Sequence, residues 1–505
     1  MTRLLAWLPM ALAIGSATYA AELDNPDLAV VPRTAAEAHR VEIVTAPPTD
    51  FSQSEMFEAK PGGGASAPAS TSADAFSQPS GNMPSEREMD FRLGNGLFRK
   101  LWVAAPASTR ASDGLGPLYN TRSCQNCHLN DGRGQPPVAD GATSVSMVVR
   151  LGQPRESGHP EIQGYLSSLP DPVYGMQLQD FAAPGLAPEG RPLVRYREQT
   201  VQLADGTEVV LRQPMVEVQD LSQGPLAAET SLSARIAPQM IGLGLIEAIP
   251  AMDILANADP QDADGNGISG RPNIVWSTDH GRALLGRFGW KAGVGTIREQ
   301  TAGAFAQDMG LSTPLHPSPW GDCTVAQNDC RAAPSGQEPG IRDGLEVDAT
   351  SLDLVTFYAR NLAVPGRVAT GDPMVLRGKA VFHDIGCADC HVPKFVTHRL
   401  EDQPEQSFQL IWPYSDFLLH DMGDGLADGV AESTASGREW RTPPLWGIGL
   451  TAQVSGQAVY LHDGRARTLL EAILWHGGEG QAARDALIAL PAPDRDALLA
   501  FLESL

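Results

Sequence analysis

The pattern Cys-x-x-Cys-His occurs twice in this chain. "SCQNCH" brings together Cys124, Cys127 and His128, and "GCADCH" does the same with Cys387, Cys390 and His391. This spacing is the attachment signature of c-type haem. Two cysteines one helical turn apart add to the two vinyl groups of one haem as thioethers. The adjacent histidine then faces the iron as its proximal ligand. Two such motifs predict two covalently bound haem c groups. A zinc site calls for cysteine pairs a dozen to twenty residues apart, whereas these pairs are more than 250 apart. A thioredoxin-like dithiol leaves the histidine without a role and wants a βαβ context that the pattern lacks. A disulfide within each pair would close a two-residue loop poorly.

The N-terminus fits export. Arg3 is the only charge before Glu22, Leu4 to Ile14 is apolar, and "ATYA" offers a cleavage site at Ala20. Residues 1–20 therefore read as a signal peptide, and the mature protein is expected to be soluble and periplasmic. The apolar stretch is too short to span a bilayer comfortably, and no later segment is long and apolar enough to do so. Cys323 and Cys330, seven apart in a Pro/Gly-flanked loop, are expected to form a disulfide in that oxidising setting. The formal charge of −23 over 505 residues argues against nucleic acid or an anionic membrane surface as a partner.

Residues 21–85 form an N-terminal segment whose end, 60–85, is rich in Gly, Ala, Ser and Pro and reads as a flexible linker. Ordered structure is expected from residue 86, in "EREMDFRLGNGLFRKLW". Residues 193–219 alternate apolar and polar around Ala-Asp-Gly, a β-hairpin signal. Residues 351–366 read as a helix ending at Pro365–Gly366, which puts a domain boundary near 370. The fold class expected is mainly α, with two cytochrome c-like haem domains. The first, 86–370, carries a long insertion with the hairpin; the second is 371–505. Near its end, Leu469, Leu470, Ile473 and Leu474 make one apolar helical face that runs into His476 and two glycines. That histidine either caps the helix or reaches inward as a ligand.

Other features offer candidates. "DADGNGISG" spaces Asp262, Asp264 and Asn266 alternately, with Gly267 at the turn and the Ile268 carbonyl beyond it, like the first half of an EF-hand loop. The twelfth position is Asn273, so the bidentate acid is missing. A calcium loop of another type and an Asp/Asn/Gly turn held by its own hydrogen bonds both fit. Glu247 follows an apolar run and is a candidate buried acid. His159, His280 and His316 are candidates for the sixth position of the first haem, with no motif behind them.

With two haem motifs in hand, the chain resembles the di-haem oxidoreductase family, also labelled predicted thiol oxidoreductases. That family is distantly similar to bacterial di-haem cytochrome c peroxidases and to di-haem enzymes that oxidise tryptophans during cofactor maturation. The likeness covers most of 86–505, through "DGLGPLYNTRSCQNCHLNDGRG", "GRFGWKA", "YSDFLLHDMG", "RTPPLWGIG" and "YLHDGRARTLLEAILWHGGEG". The peroxidases place the second axial ligand of the C-terminal haem fourteen residues past the histidine of a Phe/Tyr-His-Asp-Gly turn. Here that step runs from His462 to His476, which implies a bis-histidine haem with His391 proximal and His476 distal. The peroxidases also carry a tryptophan between the haems, a glutamine ten residues later and an acid beyond. The resemblance carries these over to Trp290, Gln300 and Asp308. The acid comes two residues early, and a proline of the pattern is replaced by Ala304.

The resemblance implies a peroxidase-like oxidoreductase. One haem would transfer electrons and the other, with His128 proximal, would react. The oxidant would be hydrogen peroxide or another small oxidant, and the electron donor a small redox protein or a quinol-linked carrier. Peroxide cleavage needs an open iron position and a nearby acid–base group. The alternative is a pure electron-transfer cytochrome with both irons six-coordinate. Thiol oxidation fits the residues less well, because haem would consume both cysteine pairs.

Overall fold

The computed structural model describes residues 20–154 and 167–505. The signal-peptide stretch, up to residue 19, and His159 lie outside them. The fold is mixed rather than mainly helical, with 28% helix and 18% strand. Among the described residues the strands form eight separate two-stranded ladders. The physical reason lies in the 51 glycines and 40 prolines, which cut helices short and confine strand pairing to short runs. No helix among the described residues is long and apolar enough to cross a membrane.

Two close-packed helix pairs stand behind the two Cys-His turns. Glu88–Phe98 packs on Ala349–Arg360, and the approach is so near that a Cβ on Gly94 would lie 2.2 Å from the Leu354 carbonyl oxygen. Phe91, Phe98, Leu352 and Val355 from this pair join Phe305 and Met309 in a core that Cys124 borders. Pro373–Asp384 packs on Ala492–Glu503. There a Cβ on Gly378 would lie 1.9 Å from the Ala497 carbonyl oxygen. Their core takes in Phe382, Leu498 and Phe501, and Cys387 borders it.

The helix expected over 351–366 runs from Ala349 to Arg360. The Asp348 carboxylate starts it by accepting from Ser351 N at 2.8 Å. It stops early because the residues after it pair with the 60–85 segment. Ala363 N donates to Gln78 O and Gly366 N to Ala67 O, both at 2.9 Å. That segment is therefore packed rather than free, with Ala65, Ala67, Ala75 and Phe76 buried. Its small side chains let the backbone lie close against the body.

The hairpin is longer than its sequence signal. Arg191–Gln202 pairs with Glu208–Gln219 in unbroken antiparallel register, from Arg191↔Gln219 to Gln202↔Glu208. Its tip reaches the C-terminal region. Ala204 N donates to Ile488 O at 3.0 Å, Arg495 pairs with Asp205 at 2.8 Å, and Arg212 donates to the Gly464 and Arg465 carbonyls. Leu203 and Leu211 bury into the core that holds Leu487 and Leu498. The N-terminal segment crosses over too. Val30–Val31 pairs with Arg399–Leu400, and Glu58 is buried between Arg367 and Lys379 at 2.7 and 2.9 Å.

Leu211 is 1% exposed, so Leu211→Ala leaves a cavity where the insertion meets the C-terminal helices. A loss of about 2–5 kcal/mol is expected for such a truncation, read from the midpoint of denaturant unfolding at constant slope.

Candidate functional site

The first Cys-His turn is a single helical turn, Cys124–Cys127, followed directly by His128. The His128 Nδ1 lies 2.8 Å from the Pro238 carbonyl oxygen. A carbonyl only accepts, so Nδ1 carries the hydrogen and Nε2 keeps its lone pair. That is the tautomer of a metal-ligating histidine, with the outer nitrogen anchored to the main chain. Burial pulls His128 down to about 4, so the ring is neutral at ordinary pH. Both thiols of the turn are unpaired. Burial, helped by the Asp308 carboxylate, pushes Cys124 up to about 12 and Cys127 the same way. Redox dithiols need the opposite shift.

This turn opens on a cavity of about 290 Å³. Trp290, Gln300 and Asp308 all line it beside Cys124, Cys127 and His128. Gln300, Ala304 and Asp308 lie on the helix Ile297–Met309, four residues apart, and so share one face. The family's acid position, ten past the glutamine, is Gly310, which caps this helix in a left-handed conformation at φ 65°. Asp308 is thus the last carboxylate that the cavity-facing row can offer before the helix ends. Thr296 caps the helix start by accepting from Glu299 N at 3.1 Å. Glu247 is buried and bonded instead, accepting from Ile297 N at 2.9 Å and pairing with Arg360 at 3.2 Å. Its work is to anchor this helix.

Asp308 is half-buried and held. Its Oδ1 accepts from Gln177 Nε2 at 2.8 Å. The same Gln177 nitrogen donates to Asn120 Oδ1 at 2.6 Å, and Asn120 Nδ2 donates to Asp180 Oδ1 at 2.9 Å. Burial raises both acids, Asp308 above the usual carboxylate range and Asp180 to about 6. No motif flagged Gln177, Asn120 or Asp180; Asn120 comes from a stretch of chain far from the one that holds Gln177 and Asp180. Trp290 is buried, and its Nε1 donates to Ile236 O at 2.9 Å. It lines the first cavity while packing in the same apolar cluster that Cys387 borders.

The second turn repeats the first one's chemistry. The His391 Nδ1 meets the Tyr414 carbonyl oxygen at 2.8 Å, and burial pulls the ring down to about 4 with a further push from His476. The helix Leu469–Leu474 ends just before Trp475. The His476 Nδ1 bonds the Ala472 carbonyl oxygen at 2.8 Å, and burial lowers this ring too. His476 therefore caps the last turn with its Nδ1–H and keeps Nε2 as a lone-pair donor. The cap and ligand roles are compatible. His462 is a packing residue, its ring stacked on Trp440 at 3.7 Å.

His420 behaves differently. Its Nε2 pairs with Asp416 at 2.8 Å and its Nδ1 with Glu479 at 2.6 Å. Those two carboxylates hold the ring charged, well above the usual histidine value despite burial. Cys390 Sγ lies 3.6 Å from Nδ1. Glu479 also accepts from the Ser269 hydroxyl at 2.6 Å, at the end of the acidic loop. In that loop Asp262 Oδ1 accepts from Gly267 N, Asp264 Oδ1 from Asn266 N and Asn266 Oδ1 from Ile268 N, at 3.0, 3.0 and 2.7 Å. The last two are turn-closing bonds of the Asx kind, and the first closes the loop over five residues. The carboxylates of Asp262 and Asp264 gather with that of Asp259, which the spacing did not flag. Cys323 and Cys330 are joined as a disulfide. His280 sits beside Asp27 at 3.6 Å. Neither His280 nor His316 lines the cavity of the first turn.

Residues 57–156 and 176–505 match the family described as "Di-haem oxidoreductase, putative peroxidase". The chain belongs to that di-haem oxidoreductase family. No curated protein matches it. The residues present fit the two haems that the family implies. Each unpaired Cys-x-x-Cys is followed by a neutral histidine with Nε2 free to ligate, and the first opens on a cavity.

The raised Asp180 has a pH consequence. Its carboxyl binds a proton more tightly folded, near 6, than unfolded, near 3.9. Its contribution to stability is therefore present at low pH and is lost as pH rises through about 6. Thermal unfolding of the wild type and Asp180→Asn from pH 4.5 to 7.5 should show the variant gaining on the wild type as pH rises, by up to about 2 kcal/mol.

Proposed function

We propose that this protein is a periplasmic di-haem peroxidase in which residues 86–370 hold the reactive haem and residues 371–505 hold an electron-storing haem. The observation that carries the reading is the company kept by Asp308. A carboxyl group whose proton affinity burial raises lines the same cavity as Cys124, Cys127 and His128, with Gln300 on the same helix face and Trp290 on the cavity wall. His128 and His391 would be the proximal ligands, bound through Nε2. His476 would complete the second site.

Haem, when bound, supplies the electron exchange with peroxide. Reducing hydrogen peroxide to two waters takes two electrons and two protons. Asp308 is suited to moving a proton from one peroxide oxygen to the other, because Gln177 fixes Oδ1 and leaves Oδ2 to carry it. Its raised affinity for a proton brings it toward the range where an acid–base group is efficient near neutral pH. Gln300 presents an amide that can position the oxidant. Trp290, whose indole touches both the first cavity and the core beside Cys387, is placed to shorten electron transfer between the two sites. The donor would be a small redox protein or a quinol-linked carrier, meeting a strongly acidic chain.

Asp308→Asn should lower peroxide turnover by roughly 10²–10⁴-fold, the usual worth of a general acid–base group, with both haem spectra unchanged. Full turnover in that variant removes Asp308 from the mechanism. Electron paramagnetic resonance of the ferric protein tests the ligand assignment. One high-spin and one low-spin signal are expected, and His476→Ala should abolish the low-spin signal. Two low-spin signals in the wild type would favour a pure electron-transfer cytochrome.

A further inference from the structure

Five arginines line the first cavity: Arg133, Arg150, Arg235, Arg287 and Arg441. Three have clear partners. Arg235 is ion-paired with Asp428 and Glu432, Arg287 with Asp24 at 2.9 Å, and the half-buried Arg150 donates to Gln307 at 2.8 Å. Arg133 and Arg441 are different. Arg133 is 4% exposed and Arg441 7%, and neither has a carboxylate in salt-bridge reach among the described residues. The Nε and Nη1 of Arg133 are buried with no hydrogen-bond partner. Arg441 donates only to the carbonyl oxygens of Gly289 and Thr442, at 3.0 and 3.2 Å.

The two guanidiniums are also neighbours. Arg133 lies 5.7 Å from the Trp290 ring centre, and the main chain of Arg441 pairs with that of Trp290, Arg441 N donating to Trp290 O at 3.0 Å. Burial drags both down to about 10, and Arg133 adds to the effect on Arg441. Burying two like charges side by side without a counter-ion is costly. Such a pair is a binding site for an anion, and for a carboxylate in particular, since the guanidinium fork matches its two oxygens. A haem offers two carboxylates, on propionate arms at the edge opposite the vinyls that would bond Cys124 and Cys127.

We infer that Arg133 and Arg441 form a clamp for the propionates of the N-terminal haem, fixing that haem's carboxylate edge beside Trp290. The inference rests on the di-haem reading and is independent of peroxide chemistry. The clamp does two things. It orients the haem so that its edge meets the tryptophan rather than solvent. It also neutralises the propionate charge, which favours the ferrous state, because a nearby cation stabilises the form with less positive charge.

Spectropotentiometric titration of the holoprotein tests this. In Arg133→Gln and Arg441→Gln, the ferric/ferrous equilibrium of the N-terminal haem should shift toward ferric by about tenfold, equivalent to 59 mV in a one-electron couple. The C-terminal haem should move much less. Arg133→Lys and Arg441→Lys keep the charge and should recover most of the shift. Haem stoichiometry by pyridine haemochrome verifies loading, and Arg133→Met and Arg441→Met, which also remove the charge and carry the same expected shift, stand in if a glutamine variant does not mature. An unchanged N-terminal potential in the glutamine variants would overturn the clamp, as would equal shifts in the lysine and glutamine forms. A wild type with two haems, no peroxide turnover and these shifts would keep the clamp and reject the peroxidase reading. A wild type without haem at Cys124 and Cys127 would reject both.

Discussion

Everything at the two sites depends on one kind of bond, an imidazole Nδ1–H donated to a main-chain carbonyl. His128 gives it to Pro238, His391 to Tyr414 and His476 to Ala472, each at 2.8 Å. The bond settles the tautomer, so the lone pair sits on Nε2. It also sets the ring's direction, because the carbonyl belongs to rigid backbone. For His128 and His391 that carbonyl comes from a segment far along the chain or beyond a long loop. Each ring takes its direction only once the surrounding fold is complete. His420 shows what happens without this arrangement: two carboxylates take both nitrogens and hold the ring charged, leaving no lone pair for a metal.

The two halves of the chain are built together. Three segments cross between them. The hairpin lays its tip on the C-terminal helices, the N-terminal segment pairs with Arg399–Leu400, and Trp290 sits in the core that Cys387 borders while facing the first cavity. Lys291, the next residue, is fully buried and bonds Asp428 at 2.8 Å together with two carbonyl oxygens. A buried charge tolerates little movement of its partners, so this lysine fixes the tryptophan's backbone against the 428–436 loop. The indole is thereby held rigidly on the wall of the first cavity.

The sequence made some of this legible and hid the rest for physical reasons. The two Cys-His motifs, the hairpin and the His462–His476 step are local, and local spacing survives in sequence. The helix expected to reach Gly366 stops at Arg360, because its continuation finds strand-like partners at Ala67 and Gln78. Likewise 60–85 has the composition of a linker, yet its small residues are what a close-packed wall needs. The mainly helical expectation fell to the many short ladders, each made of strands too brief to show a period. Asn120 meets Gln177 and Asp180 only in three dimensions, and Arg133 stands out only when its buried nitrogens are seen to lack partners.

Charge accounting links these points. The chain buries many charged groups, and it matches them: Arg235 with Asp428 and Glu432, Arg367 and Lys379 with Glu58, Arg465 with Asp463 at 2.7 Å. Matching of this sort is what makes burial tolerable. Against that background, the guanidiniums of Arg133 and Arg441, which have no ion pair among the described residues, stand apart, and both line the cavity that the first Cys-His turn opens on. The same wall carries the carboxyl of Asp308, whose proton affinity burial raises. Cations without anions at one place and an acid kept near its proton at another are both expensive in isolation. They become consistent once an anionic, redox-active group occupies the space between them.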